Sequence, residues 1–129
     1  MIVKSYRDLI VWQKSLELVD MIYCVTESFP PKEMYGLSNQ LRRAGVSIPS
    51  NIAEGHARQS TPEFKRFLSI ARGSLAEVET QLIIANRRQY LLSDQLERIM
   101  LLSDEISKML VSLIRSLETK MDEESGGRG

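Results

Sequence analysis

Apolar residues recur along most of this chain at alternating steps of three and four, the spacing that collects side chains on one face of an α-helix. From Ser5 to Ser28 they fall at Leu9, Trp12, Leu16, Val19, Tyr23 and Thr26, with Val11, Leu18, Ile22 and Val25 widening the stripe. Phe29-Pro30-Pro31 predicts the end of this first helix, because proline lacks an amide donor and pushes the residue before it out of the helical region. A second helix is expected from about Glu33, with Leu37, Leu41, Ala44, Ile48 and Ile52 inward. Pro49 lies inside that pattern and opposes Gly45 one turn earlier, so the helix is expected to kink there. Gly55 is expected to close it.

Thr61-Pro62-Glu63 then predicts a helix start, with Thr61 as cap, Pro62 in the first turn and Glu63 near the positive end of the dipole. Phe64, Leu68, Ala71, Leu75, Val78, Leu82 and Ala85 form the apolar face of this third helix, which should end between Arg88 and Tyr90. Ser93-Asp94 opens a fourth, with Asp94 and Glu97 as a capping box and Leu96, Ile99, Ser103, Ile106, Leu110, Leu113 and Leu117 inward. No alternating strand pattern is left over. Long helices joined by short turns pack as antiparallel neighbours. The expected fold is all-α: an up-down-up-down antiparallel four-helix bundle over residues 1–120 with a proline-kinked second helix, followed by a flexible polar tail at 121–129.

At 129 residues the chain is of one-domain length. Lysine plus arginine and aspartate plus glutamate both number 17, so the net charge is zero and no whole-molecule attraction to nucleic acid or anionic lipid is implied. The charges are nevertheless segregated. Residues 1–35 carry four basic and five acidic side chains, residues 36–72 six and two, and residues 73–129 seven and ten. A single cysteine, Cys24, excludes an internal disulfide and is expected to be a small buried hydrophobe. No apolar run approaches a bilayer span and the N-terminus lacks a signal-peptide core, so a cytoplasmic protein without membrane association is expected.

Catalytic and metal-binding patterns are not apparent. The one histidine, His56, follows Glu54 at a spacing that separates the two around a helix, whereas a di-iron bundle needs Glu-x-x-His pairs. His56 is expected in a solvated loop. Neither GxGxxG nor GxxxxGK[ST] occurs. The sequence therefore indicates no enzyme, no metal and no cofactor. What stands out is the basic middle: Arg42, Arg43, Arg58, Lys65, Arg66 and Arg72 form a candidate phosphate-contacting surface, against which stands the ordinary solvated face that a neutral protein favours. Gln40, Ser47, Asn51 and Glu54 lie along one side of the second helix and form a candidate hydrogen-bonded oligomer contact, the alternative being a face turned to water.

The segments DLIVWQKSLELVDMIY and FPPKEMYGLSNQLRRAGVSIPSNIAEGHARQSTPEFKRFLSIARGSLAEVETQL, with the last amphipathic helix, resemble the bacterial 23S rRNA intervening-sequence protein family over roughly residues 5–118. The most specific pieces are Val11-Trp12-Gln13, Tyr35-Gly36-Leu37, Arg42-Arg43-Ala44, Ser47-Ile48, Asn51-Ile52-Ala53-Glu54-Gly55 and Glu63-Phe64. The resemblance implies an up-down bundle assembling as a homopentameric ring. It also implies likeness in fold to the accessory variability protein of diversity-generating retroelements, a basic pentamer that binds a reverse transcriptase and nucleic acid. From this follow two expected functions. One is a non-enzymatic accessory protein that binds RNA or DNA through a basic surface repeated around the ring. The other is a protein-interaction scaffold without a nucleic-acid ligand, with a protein partner such as a reverse transcriptase by analogy.

Overall fold

The computed structural model describes residues 4–126, and within them the chain forms four long helices and two short 3-10 turns. Helix α1 covers Ile10–Thr26, α2 Leu37–Ala57, α3 Thr61–Arg87 and α4 Ser93–Gly126. Each helix packs on its two neighbours in the cyclic order α1, α2, α3, α4, which is the antiparallel four-helix bundle. The most extensive contact is between α2 and α3, the least between α1 and α4. Among the described residues no helix is long and apolar enough to cross a membrane.

The core is a column of fully buried side chains: Leu18 and Ile22 from α1, Leu41, Ile48 and Ile52 from α2, Leu68, Val78 and Leu82 from α3, and Ile106 and Leu110 from α4. On α1 the centre of the inward face differs from expectation. Val11, Leu18, Ile22 and Val25, expected at the edge of the stripe, are buried, while Leu16 and Tyr23 are exposed. The two stripes are one residue apart in register, and only the positions of α2 and α4 decide which faces inward. Cys24 goes with this rotation: it is exposed, not a core residue.

Helix ends also shift. Ser5 caps a 3-10 turn over Tyr6–Asp8, its hydroxyl accepting from the Arg7 amide while the Asp8 carboxylate accepts from the Ser5 amide, so α1 proper starts only at Ile10. Pro31–Glu33 forms a second 3-10 turn, and α2 starts at Leu37. There Glu33 Oε1 accepts from the Leu37 amide at 3.1 Å while its Oε2 accepts from Tyr90 Oη at 3.0 Å. This one carboxylate therefore ties the α1–α2 turn to the α3–α4 turn. The Leu37 amide and then the Tyr90 hydroxyl stabilise its charged form and hold its pKa below the ordinary 4.5 of a glutamate.

Helix α2 runs unbroken through Pro49 and past Gly55 to Ala57. Gly55 is therefore not its terminator. It is buried, and a Cβ there would lie 2.6 Å from Phe67 Cβ, so the residue is needed for close approach of α2 and α3. The terminating left-handed residue is Gln59, with φ 54°. The α3 cap is Ser60, one residue before Thr61; its hydroxyl accepts from the Glu63 amide. Helix α3 ends in a Schellman turn: Tyr90 N donates to Ala85 O and Gln89 N to Asn86 O, with Gln89 at φ 65°. At the start of α4 the Gln95 side chain, not Glu97, reaches back to accept from the Leu92 amide. The helix continues through Gly126, with residues 122–126 exposed, so the first part of the expected polar tail has helical backbone; residues 127–129 lie outside the described residues.

Candidate functional site

The basic residues singled out in the sequence do not form one cluster. Arg42 turns towards α1, where its Nε donates to Thr26 Oγ1 at 2.8 Å and its guanidinium lies 4.8 Å from the centre of the Tyr23 ring. Thr26 is itself buried and donates to Ile22 O, so Arg42 is part of the α1–α2 packing. Arg58 and Arg66 meet at the other end of α2, their guanidinium carbons 5.1 and 4.6 Å from the centre of the Phe67 ring. Each is neutralised on its own helix, Arg58 by Glu54 at 2.9 Å and Arg66 by Glu63 at 2.8 Å. The Glu63 hydrogen bond raises the pKa of Arg66, and that same contact lowers the pKa of Glu63. Cation–π contacts and local ion pairs thus account for three of the six.

Arg43, Lys65 and Arg72 differ. Among the described residues none of their charged groups has an ion-pair or hydrogen-bond partner. They are also apart. Lys65 and Arg72 lie two turns from each other on α3, whereas Arg43 belongs to a cleft of about 390 Å³ between α2 and α3, lined by Asn39, Gln40, Arg43, Ala44, Ser47, Ser74, Glu77 and Gln81.

The polar side of α2 is largely used within the chain. Ser47 Oγ and Ser74 Oγ are 2.9 Å apart across the α2–α3 seam, and Asn51 Nδ2 donates to both the carbonyl and the hydroxyl of Ser47. Ser47 and Asn51 thus have hydrogen-bond partners within the subunit, which the spacing alone did not reveal. Glu54 is paired with Arg58, and Gln40 is exposed on the cleft wall. One residue that the sequence reading passed over completes the cleft: Gln81 Oε1 is buried and accepts no hydrogen bond. Its signal was available, because Ser74, Glu77 and Gln81 continue a three-four spacing on a second face of α3.

His56 lies inside the last turn of α2 rather than in a loop, half-buried, with its ring edge-on to Phe64 at 5.5 Å. An apolar groove runs between α1 and α2, lined by Tyr6, Trp12, Leu16, Val19, Val46, Pro49, Ser50 and Ala53. Tyr6 and Trp12 meet edge to face in it at 5.3 Å. The rotation of α1 described above is what leaves Leu16 and Tyr23 on this outer side.

A bundle of this order carrying the Trp12, Arg42-Arg43 and Asn51–Gly55 segments can be set against known proteins. The model of the 23S rRNA-intervening sequence protein family matches residues 7–112. The chain belongs to that family. A solved structure, from the S23 ribosomal protein family of Bacteroides thetaiotaomicron VPI-5482 and described as a protein with unknown function, is 34% identical in sequence. It superimposes with a TM-score of 0.76, and the match covers 82% of this chain and 96% of that one. No curated protein matches the chain significantly. Family membership thus agrees with the bundle, and neither the family nor this relative carries a known enzymatic activity.

Proposed function

We propose that this family member is a non-catalytic, self-associating binding module, a scaffold that holds another protein on a ring of identical bundles. The observation that carries the reading is the α1–α2 groove, where Leu16 and Val46 are exposed and Trp12, Val19 and Ala53 half-buried over the buried Pro49. Contiguous apolar surface of this kind marks protein contact, and the aromatic content fits an interface better than a solvated face. Five copies is the number that the family resemblance implies.

A second reading is binding of RNA or DNA, favoured by the side chains of Lys65 and Arg72, which carry uncompensated charge and would be multiplied in a ring. It is the weaker of the two, since Arg42, Arg58 and Arg66 are held by partners of their own. Light scattering on the purified protein, with and without a pool of structured RNA and single-stranded DNA at low and high salt, separates them. The scaffold reading expects an oligomer whose mass ignores nucleic acid, and a protein partner recovered by pull-down after nuclease treatment in high salt. Mass gained with nucleic acid at low salt and lost when Lys65 and Arg72 are replaced by glutamate would establish the second reading instead. A monomer at all concentrations would sink the ring.

A further inference from the structure

We infer that the α2–α3 seam is where a second copy of this chain docks, and that it receives the α1–α4 seam of that copy. This rests on the self-association proposed above and assigns its faces. Because α1 packs on α2 and α4, and α3 on the same two helices, the two seams lie on opposite sides of the bundle.

The α2–α3 seam is incomplete within one subunit. Arg43 and Glu77 line the same cleft without forming an ion pair, and beside them the buried Gln81 Oε1 lacks a donor. A buried acceptor without a donor costs free energy, so the polar lining of this cleft is not completed by the subunit's own residues. Two turns to either side of Glu77, on the same side of α3, Ile70 and Ile84 are 40% and 42% exposed.

The α1–α4 seam has the same order of apolar, charged and apolar side chains, with a lysine that can face Glu77 and carboxylates that can face Arg43. Lys14 on α1 serves two carboxylates at once, Glu17 and Glu105, each at 3.6 Å. One ammonium between two carboxylates leaves a negative charge over. One turn before Lys14 and one turn before Glu105, Ile10 and Leu101 stand 61% and 69% exposed. Since α1 and α4 are antiparallel, these two residues flank the charged group on opposite sides along the bundle. Docking the seams brings Arg43 to the Glu17–Glu105 pair and apolar residues to apolar residues. A contact between different faces of identical subunits is head-to-tail, and it closes into a ring when the rotation permits.

The test is charge reversal read by sedimentation and light scattering, with circular dichroism confirming that each protein stays helical. Arg43→Glu and Glu105→Arg should each weaken self-association by about tenfold or more, because like charges then face each other. The double variant, in which the Arg43–Glu105 contact is reversed at every interface, should regain most of the wild-type association. Should Arg43→Glu lose helicity, Ile84→Lys at an exposed position reads the same surface and should also dissociate the assembly. Single variants that assemble as well as wild type, or a helical double variant that fails to recover, would overturn the assigned faces while leaving self-association standing. A wild-type protein that is monomeric at every concentration would overturn both.

Discussion

Helices α2 and α3 form one half of this bundle and α1 and α4 the other, and the two halves are held together internally by different physics. Between α2 and α3 the backbones come so close that Gly55 leaves no room for a methyl group, and the Ser47–Ser74 hydrogen bond crosses the seam with Asn51 holding Ser47 from its own helix. Between α1 and α4 the contact is the slightest of the four, marked at the surface by the long ion pair of Lys14 with Glu105. Close packing around a hydrogen bond that crosses between helices specifies one geometry; exposed ion pairs tolerate many. The α2–α3 half is thus the rigid reference against which α1 is set.

The sharpest way to break this contrast is to add one methyl group on each side of α2. Gly55→Ala should destabilise the protein by about 1–3 kcal/mol, as overpacking does, because the obstructing atoms are Phe67 Cβ at 2.6 Å and the Phe64 carbonyl, which cannot swing away. Gly45→Ala meets only Ile22 Cδ1 at 2.7 Å, the far end of a flexible side chain on α1, and should cost less. Urea unfolding of both variants measures the difference, and an equal cost would mean that the α1–α2 seam is as rigid as the α2–α3 seam.

Ser74→Ala should cost about 1 kcal/mol by the same measurement, since it removes the hydroxyl that joins α3 to the Ser47–Asn51 pair. The acid limb of stability tests the link across the ends of the two halves. The folded pKa of Glu33 is lowered, so its contribution is present above the ordinary glutamate value and is lost as pH falls through the lower folded value. Glu33→Gln should therefore lower the melting temperature at neutral pH and flatten its fall below about pH 4.5. An unchanged acid profile would show that Tyr90 and Leu37 do not depend on the charge. Smallest of all, Lys14→Ala should change the stability of the monomer by no more than ~1 kcal/mol, because its carboxylate partners are about half exposed.

Particular residues show how far the sequence could be read. The inward faces of α3 and α4 are legible in spacing through Leu68, Leu75, Val78 and Leu82, and Ile99, Ile106 and Leu110, but Phe67 and Ile114 are buried where Phe64 and Leu113 are expected to be. Helix α1 carries two apolar stripes side by side, and spacing cannot rank them: Leu18 and Ile22 went inside while Leu16 and Tyr23 stayed out. The basic residues of the middle segment were legible as a group, but their partners were not. Glu54 and Glu63, one turn from Arg58 and Arg66, were visible in sequence, whereas Thr26 as the partner of Arg42 was sixteen residues away.

The sequence by itself determined four amphipathic helices, their antiparallel order and the segments that place the chain in its family, because helical periodicity, prolines and short turns are local properties. Tertiary structure alone decided which stripe of α1 faces inward, which glycine marks close approach, and which polar residues are spent inside the subunit. Those outcomes depend on what stands opposite each side chain, and the opposing residue always comes from another helix.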